Sequence, residues 1–160
     1  MEGTNNSPIQ PIRHTLSPCT IFAHNYPSIV YTELLDAVSV FLYDKKLRVG
    51  GVNHFIRPYV RKKELAKPMF GNAAMIGLIK KMIHMGTEKV NLEAQIFGGA
   101  TLNNFTFSQR RVARKNVKVA RKFLKKMKIK VVSEDTGGNK MRKVYFNTAS
   151  NEVIVLKSDP

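Results

Sequence analysis

The residues best suited to chemistry lie in the run 49–55, which reads VGGVNHF. Its paired glycines, Gly50 and Gly51, permit a closely packed backbone passage that a side chain would block. His54 follows among apolar neighbours, and because an imidazole titrates near neutral pH, His54 is a candidate general base. A histidine that is simply packed in a core would give the same local pattern, so the run by itself leaves both interpretations open.

The other reactive side chains are few and scattered. His14, His24 and His84 stand at no metal-ligand spacing with one another or with carboxylates, so we predict no metal site. Cys19 is the sole cysteine, which excludes a disulfide within the chain and any multi-cysteine zinc site. A glycine-rich loop of the kind that cradles nucleotide phosphates is absent from the sequence. We therefore predict no cofactor.

The charge of the chain is strongly unbalanced. Its 160 residues include 27 Lys and Arg against 11 Asp and Glu, a formal net charge of +16. Residues 110–130 carry no acid and eleven basic side chains: Arg110, Arg111, Arg114, Lys115, Lys118, Arg121, Lys122, Lys125, Lys126, Lys128 and Lys130. Such a run is typical of the solvated face of a helix, and it also suits an acidic protein, nucleic acid or an anionic membrane surface as partner.

The elements that must position these residues are predicted to be short strands with two helices. Residues 1–19, with three prolines among polar residues, are predicted to be a flexible tail before a single domain at residues 20–160. The almost wholly apolar run 37–43 predicts a strand buried on both faces. Other strands are expected at residues 28–32, 48–55, 90–97 and 129–132, and a terminal hairpin at 143–146 and 153–156.

Two helices complete the predicted α+β domain, which has about six or more strands. The first begins at Gly71 and ends at Gly86, a left-handed cap. Its apolar stripe is Met75, Leu78, Ile79, Met82 and Ile83. The second spans residues 108–127, with Val112, Val119, Phe123 and Met127 inward and the basic residues outward. The sequence shows no membrane-span-length apolar run and no signal-peptide core, which predicts a cytoplasmic protein without membrane insertion.

Several blocks resemble one protein family. Residues 38–58, VSVFLYDKKLRVGGVNHFIRP, are similar to the central signature of CheD, the chemoreceptor glutamine deamidase of bacterial chemotaxis. The resemblance continues through FGNAAM at 70–75, IFGGA at 96–100, VARKN at 112–116, EDTGG at 134–138 and RKVYF at 142–146. These blocks stand in the family's order over residues 20–157, and the chain is identified as a member of this family.

The resemblance implies a layered α/β sandwich, related to the catalytic domain of cytotoxic necrotizing factor toxins. It also implies a cysteine hydrolase that converts receptor glutamines to glutamates. His54 matches the family histidine, which activates a cysteine in a Gly-Ser-Cys step with help from a threonine shortly before it. Gly50, Gly51 and Asn53, with Gly98 and Gly99, would form the loops around that site.

The chain departs from the family pattern at the nucleophile. Leu35, Asp36 and Ala37 replace the Gly-Ser-Cys step, so a methyl group stands where the family has a thiol. Tyr31 occupies the register of the family threonine, and Thr32 lies one place later. Three consecutive departures favour natural loss of the catalytic step over a single engineered Cys→Ala substitution.

These observations predict a chemotaxis regulator without catalysis. The resemblance implies two partners, the cytoplasmic helices of chemoreceptors and a CheC-like phosphatase. The glutamate-rich receptor bundle would attract a basic face formed by Arg114, Lys118, Arg121, Lys122 and Lys125. An active deamidase is the alternative, through Cys19 or in a parent chain with cysteine at position 37. A third hypothesis is nucleic-acid binding by the basic helix at 108–128, which has few aromatic residues to stack on bases.

Overall fold

The computed structural model describes residues 7–160, apart from the side chain of Glu64. The strands are β1 (Ile12–Thr15), β2 (Thr20–His24), β3 (Ser28–Leu34), β4 (Val38–Asp44), β5 (Val49–His54), β6 (Leu92–Gly98), β7 (Lys130–Thr136), β8 (Met141–Asn147) and β9 (Val153–Ser158). The helices are α1 (Gly71–His84) and α2 (Phe107–Lys126), with short 3-10 turns at Lys63–Leu65 and Lys89–Asn91.

The strands form two stacked sheets. One has five strands in the order β2-β5-β4-β6-β7, and the other has four in the order β1-β3-β8-β9. Helices α1 and α2 pack on one face of the five-stranded sheet, and the four-stranded sheet packs on the other. This layered α+β arrangement confirms the predicted fold class.

Strand β4 lies at the centre of the molecule, and all seven of its residues are buried. Successive side chains of a strand point to opposite faces, so β4 serves two cores. Val38, Val40 and Leu42 pack with the helices. Phe41 packs between the sheets, where its ring meets those of Phe97 and Phe146 edge-on at 5.3 and 5.1 Å. The prediction of a strand buried on both faces is confirmed.

The predicted helices form with small differences in which residues they bury. Helix α1 buries four of its five predicted stripe residues, but Ile83 is 51% exposed. Gly86 follows α1 at φ +100°, which confirms the left-handed cap. Helix α2 buries a stripe offset by one or two positions from the predicted one: Ala113, Asn116, Val117, Ala120 and Leu124. The four predicted inward residues are only half-buried, because the small alanines let α2 approach the sheet most closely.

The segment predicted as a tail contains regular structure. Strand β1 pairs in parallel with β3, and β2, which the sequence did not predict, pairs antiparallel with β5. The tail prediction is therefore wrong for residues 12–15. All four side chains of β1 are exposed, so backbone hydrogen bonds hold the strand and no apolar alternation reveals it. Residues 1–6 of the predicted tail lie outside the described residues.

Candidate active site

The candidate site lies between the two sheets and is built on a histidine–threonine pair. His54 ends β5 on the inner face of the five-stranded sheet, and Thr32 lies on the inner face of β3 in the other sheet. Thr32 Oγ1 is 2.8 Å from His54 Nδ1, and both residues are buried. Although Thr32 is one place late against the family pattern, the structure brings it to the histidine. The hydrogen bond joins the two sheets.

A third group determines which partner donates in this hydrogen bond. The Thr32 hydroxyl lies 3.2 Å from the carbonyl oxygen of Leu16, which can only accept. A hydroxyl has one proton, so donation to Leu16 leaves its oxygen to accept from the Nδ1–H of His54. This arrangement assigns the proton to Nδ1 and leaves Nε2 as the lone-pair nitrogen, the form that a general base requires.

Burial is the main influence on the pKa of His54. The side chain is 2% exposed, and desolvation lowers its pKa from 6.5 to about 4. Its hydrogen-bond partner Thr32 is neutral, and a carboxylate or thiolate beside the ring would have opposed this shift. The imidazole is therefore neutral at pH 7.

Ala37, expected from the sequence at the family's nucleophile position, is buried directly before β4 and belongs to the core between the sheets. Ser39 points to the same side of the chain, but its buried Oγ has no hydrogen-bond partner among the described residues. His54 therefore makes no hydrogen bond with Ser39.

The loop that carries Ala37 is held by the glycine pair at the end of β6. The N–H groups of Gly99 and Ala100 donate to the carbonyls of Ala37 at 2.9 Å and Leu35 at 2.7 Å. Gly98 has φ +114°, and a Cβ atom there would lie 2.1 Å from the Ala37 oxygen. Gly98 and Gly99 thus fix the path of the loop.

Asn116 of α2 supports the same loop from the helix side. Its Nδ2 donates to the carbonyls of Asp36 at 3.3 Å and Ile56 at 3.2 Å, so it connects the strands that carry Ala37 and His54. Its Oδ1 is buried without a partner among the described residues. The sequence placed Asn116 in a family block, but no local signal assigned it to the site, because the contact depends on how α2 docks.

The glycines and the asparagine before His54 pack tightly on both sides of β5. A Cβ on Gly50 would meet the ring of Phe146 at 2.8 Å, and one on Gly51 would meet Ala23 and Leu78 at 2.9 Å. Asn53 Oδ1 accepts the backbone N–H of Val40 at 2.9 Å. The close backbone passage predicted for this block is therefore present. It lets β5 pack closely against its neighbouring strands, the four-stranded sheet and helix α1.

Cys19 lies closer to the site than its place in the sequence indicated. Its backbone N–H donates to the carbonyl oxygen of His54 at 2.8 Å, and its φ is +63°. The next residue, Thr20, lies directly opposite His54 in the β2–β5 ladder. The backbone of Cys19 reaches His54 because β2 folds back along β5.

The five basic residues assigned to partner binding all lie exposed along α2. Arg121 differs from the others because it forms an ion pair with Glu134 at 2.6 Å and a hydrogen bond to Thr136. The remaining basic side chains, Arg114, Lys118, Lys122 and Lys125, have no ion-pair partner among the described residues. They form a positively charged surface on the solvent face of α2.

Neither a metal centre nor a membrane-spanning helix is found in residues 7–160. Those residues hold no group of three or more His, Cys, Asp or Glu side chains placed to bind a metal ion. Within the same range, neither helix is both long and apolar enough to cross a membrane.

Comparison with known proteins defines the class to which this fold and site belong. The family model described as CheD chemotactic sensory transduction matches residues 58–157. A Sulfurimonas denitrificans protein named "Probable chemoreceptor glutamine deamidase CheD" is 35% identical over 136 residues, which cover 84% of this chain and 87% of the relative. A Trichlorobacter lovleyi protein of the same name is 31% identical over 155 residues, 97% of this chain and 95% of the relative.

A relative from Pyrococcus horikoshii with the same name is 34% identical over 125 residues, 75% of this chain and 76% of the relative. The family model begins just after His54, whereas the match to the Trichlorobacter protein leaves out only a few residues and so spans the Thr32–His54 pair. This chain belongs to the CheD family of chemoreceptor glutamine deamidases.

Proposed function

We propose that this CheD-family chain acts in the cytoplasm as a non-catalytic regulator that binds chemoreceptor helices and a CheC-like phosphatase. One observation carries the proposal. Thr32 and His54 are hydrogen-bonded, and Ala37, which the resemblance assigns to the family's nucleophile position, is buried and offers only a methyl group. The frame of the site is therefore retained without the group that attacks the substrate.

Deamidation through a cysteine proceeds by covalent steps that the side chain of Ala37 cannot carry out. The thiol loses its proton to the histidine, and the thiolate attacks the carboxamide carbon of glutamine. Ammonia then leaves, and water hydrolyses the thioester to give glutamate and the free thiol. A methyl group has neither a lone pair nor an acidic proton, so the first bond does not form. His54 alone offers a base without a nucleophile.

The relatives and the charge of this chain support the choice of partners. The related proteins carry names that refer to chemoreceptor glutamines. This chain carries a net charge of +16, and helix α2 has no acidic residue. A glutamate-rich helical bundle complements such a surface, and the attraction accelerates encounter.

Catalysis through Cys19 is a second candidate, supported by the hydrogen bond between its N–H and the His54 carbonyl. The register weakens this candidate. Thr20 shares its face of the sheet with His54, and neighbouring residues of a strand point to opposite faces. A cysteine one place before Thr20 therefore projects away from the imidazole unless its positive φ redirects it.

The test combines an activity assay with a binding assay on the same preparation. Purified protein is mixed with chemoreceptor cytoplasmic fragments, and ammonia release and the mass of receptor peptides are followed beside a His54→Ala control. We expect no conversion of glutamine above that control, together with measurable binding to the fragments. Conversion that Cys19→Ser abolishes would establish catalysis through Cys19, and absence of binding to the receptor fragments would refute the regulator.

A further inference from the structure

We infer that the first three turns of α2 form a docking surface for an acidic helix. The surface, called here the N-terminal patch, consists of Phe107, Arg110, Arg111, Arg114, Lys115 and Lys118. The inference rests on the proposed function and specifies where the partner binds.

The N-terminal patch is concave and combines charge with an apolar contact. Its six residues line a surface cavity of about 360 Å³. Phe107, at the first position of the helix, is 79% exposed, which is unusual for so large an apolar side chain. Arg110 is held in place because its guanidinium donates to the carbonyls of Phe105 at 3.2 Å and Asn103 at 2.7 Å. The cavity therefore has a fixed cation and an exposed aromatic ring.

The cations of the N-terminal patch are left without acidic partners in the part of the chain that the structure describes. The basic partners in the ion pairs there are Arg121 and four residues outside α2, and none is a member of the patch. Tyr59, 43% exposed, lies among the same charges. Interaction with Arg61 and the charges of Lys115 and Arg111 lower the pKa of Tyr59. An incoming carboxylate would meet an uncompensated positive field.

Cations at the N-terminus of α2 do not stabilise the helix. The N-terminus of a helix carries a partial positive charge, so Arg110 and Arg111 in its first turns are placed unfavourably. The first turn contains no acidic residue to offset them. Residues that oppose the stability of their own element are expected where a binding surface requires them.

The patch and the contact with the Ala37 loop lie on opposite faces of the same helix segment. Asn116, whose side chain binds the carbonyls of Asp36 and Ile56, is buried, whereas Arg111, Arg114 and Lys118 are exposed. An occupant of the patch therefore contacts the solvent face of α2. With about 1.5 Å of rise per residue, residues 107–118 span about 16 Å, enough to face three turns of a partner helix with glutamates at every fourth position.

An acidic helix fits this surface better than nucleic acid does. A polyanionic backbone would engage the full basic length of α2, because its C-terminal half is as cationic as its N-terminal half. Base stacking would need several exposed aromatic rings, whereas Phe107 is the single aromatic residue of the patch. The concavity and the exposed ring are confined to the N-terminal half.

The experiment compares two double variants that remove the same charge from one helix. Arg114→Gln with Lys118→Gln removes two of the five cations of the N-terminal patch, and Lys122→Gln with Lys125→Gln removes two cations of the C-terminal half, all four positions being exposed. The probes are a chemoreceptor cytoplasmic fragment, a designed helical peptide with glutamates at every fourth position, its glutamine counterpart, and a short DNA duplex. We expect the first variant to weaken binding of fragment and peptide about tenfold and the second by less than about twofold.

The possible results separate the two proposals. If both variants weaken binding of the fragment equally, the N-terminal patch is not the docking surface, although the proposal of receptor binding stands. Equal binding of the glutamine peptide would overturn the requirement for carboxylates, and tight duplex binding that both variants reduce alike would assign α2 to nucleic acid. If the unmodified protein binds no receptor fragment, the proposed function as a receptor-binding regulator is refuted. Thermal unfolding of the two variants, expected at or above that of the unmodified chain, shows that any lost binding is not lost folding.

Discussion

His54 is buried in a neutral form, and this has a direct consequence for stability. Its pKa is about 4 in the folded chain and 6.5 when unperturbed, so the unfolded chain binds the proton first as pH falls. The contribution of His54 is complete above pH 6.5 and is lost between pH 6.5 and about 4. Its maximum is about 3 kcal/mol. We expect the free energy of unfolding in urea to fall by an amount of this order between pH 7 and pH 4.5.

Two variants identify the source of that loss. His54→Gln removes the titrating group and should flatten the profile over this range, whereas His84→Gln, at an exposed position, should leave it unchanged. Asp135 acts at lower pH: burial raises its pKa, but hydrogen bonds and charges from Arg142 and Lys157 outweigh this and lower it below 3.8. If the free energy of unfolding still falls steeply with pH in His54→Gln, a group other than His54 causes the loss of stability.

Restoring the thiol alone is expected to restore little activity. In Ala37→Cys, the new sulfur stands next to Asp36, whose carboxylate opposes both a thiolate and the developing oxyanion. Leu35 also replaces the family's glycine, and its carbonyl is already bound by the N–H of Ala100. We therefore expect ammonia release from receptor fragments close to background in Ala37→Cys, and a higher rate when Leu35→Gly and Asp36→Ser are added. High activity of the single variant would show that the loop was competent throughout.

For individual residues, the sequence predicts groupings of neighbours along the chain. It does not predict contacts that depend on strand pairing or helix docking. The run that ends at His54 could be recognised because its glycines, asparagine and histidine are contiguous. Thr32 was one register place from its expected position, and its contact depends on how two sheets stack. The approach of Cys19 to His54 and of Asn116 to Asp36 likewise depends on pairing and docking, which no spacing in the sequence shows.

Among the elements, the turn at the end of β6 controls the position of Ala37. Gly98→Ala combines a positive φ with a Cβ placed 2.1 Å from the Ala37 carbonyl oxygen. We expect a loss of about 2–4 kcal/mol in the free energy of unfolding, measured by urea titration. Gly137→Ala is the matched control, since Gly137 has φ +75° but open space around its Cβ.

The control isolates the clash from the backbone strain. Gly137→Ala should cost only about 1 kcal/mol, the strain of a left-handed residue that carries a side chain. Similar losses in the two variants would mean that the loop at Ala37 yields easily, and the glycine would then be required for its backbone conformation alone.

The elements that the sequence predicted well are those whose pattern reflects burial on a regular face. β4 and α1 show continuous or periodic apolar residues, and both formed near their predicted bounds. β1 has four exposed side chains, so its existence depends on hydrogen bonds to β3 rather than on its own composition. The inward stripe of α2 was misplaced because alanine carries a weak hydrophobic signal, although it allows the closest packing.

For the molecule as a whole, the charge of +16 acts in opposite directions on folding and on binding. Self-repulsion destabilises the compact state, and added salt screens it within about 8 Å at physiological ionic strength. We expect the thermal midpoint to rise by a few degrees as potassium chloride is increased, since about 1 kcal/mol corresponds to about 2–4 °C at this size. Over the same range, affinity for an acidic helix should fall. A midpoint that falls with salt would show that the ion pairs outweigh the repulsion.

The order of strands in the smaller sheet determines when the molecule can be completed during synthesis. β3 lies between β1, near the start of the chain, and β8, where Thr32 faces Val144. The larger sheet and both helices are complete once β7 has been made, but the apolar inner faces of β3 and β4 stay open to water until the β8–β9 hairpin leaves the ribosome. A nascent chain at that stage exposes Val30, Leu34 and Phe41, the kind of surface that chaperones bind and that aggregates. Slow elongation through residues 137–158 would therefore lower the yield of folded protein without changing one residue of it.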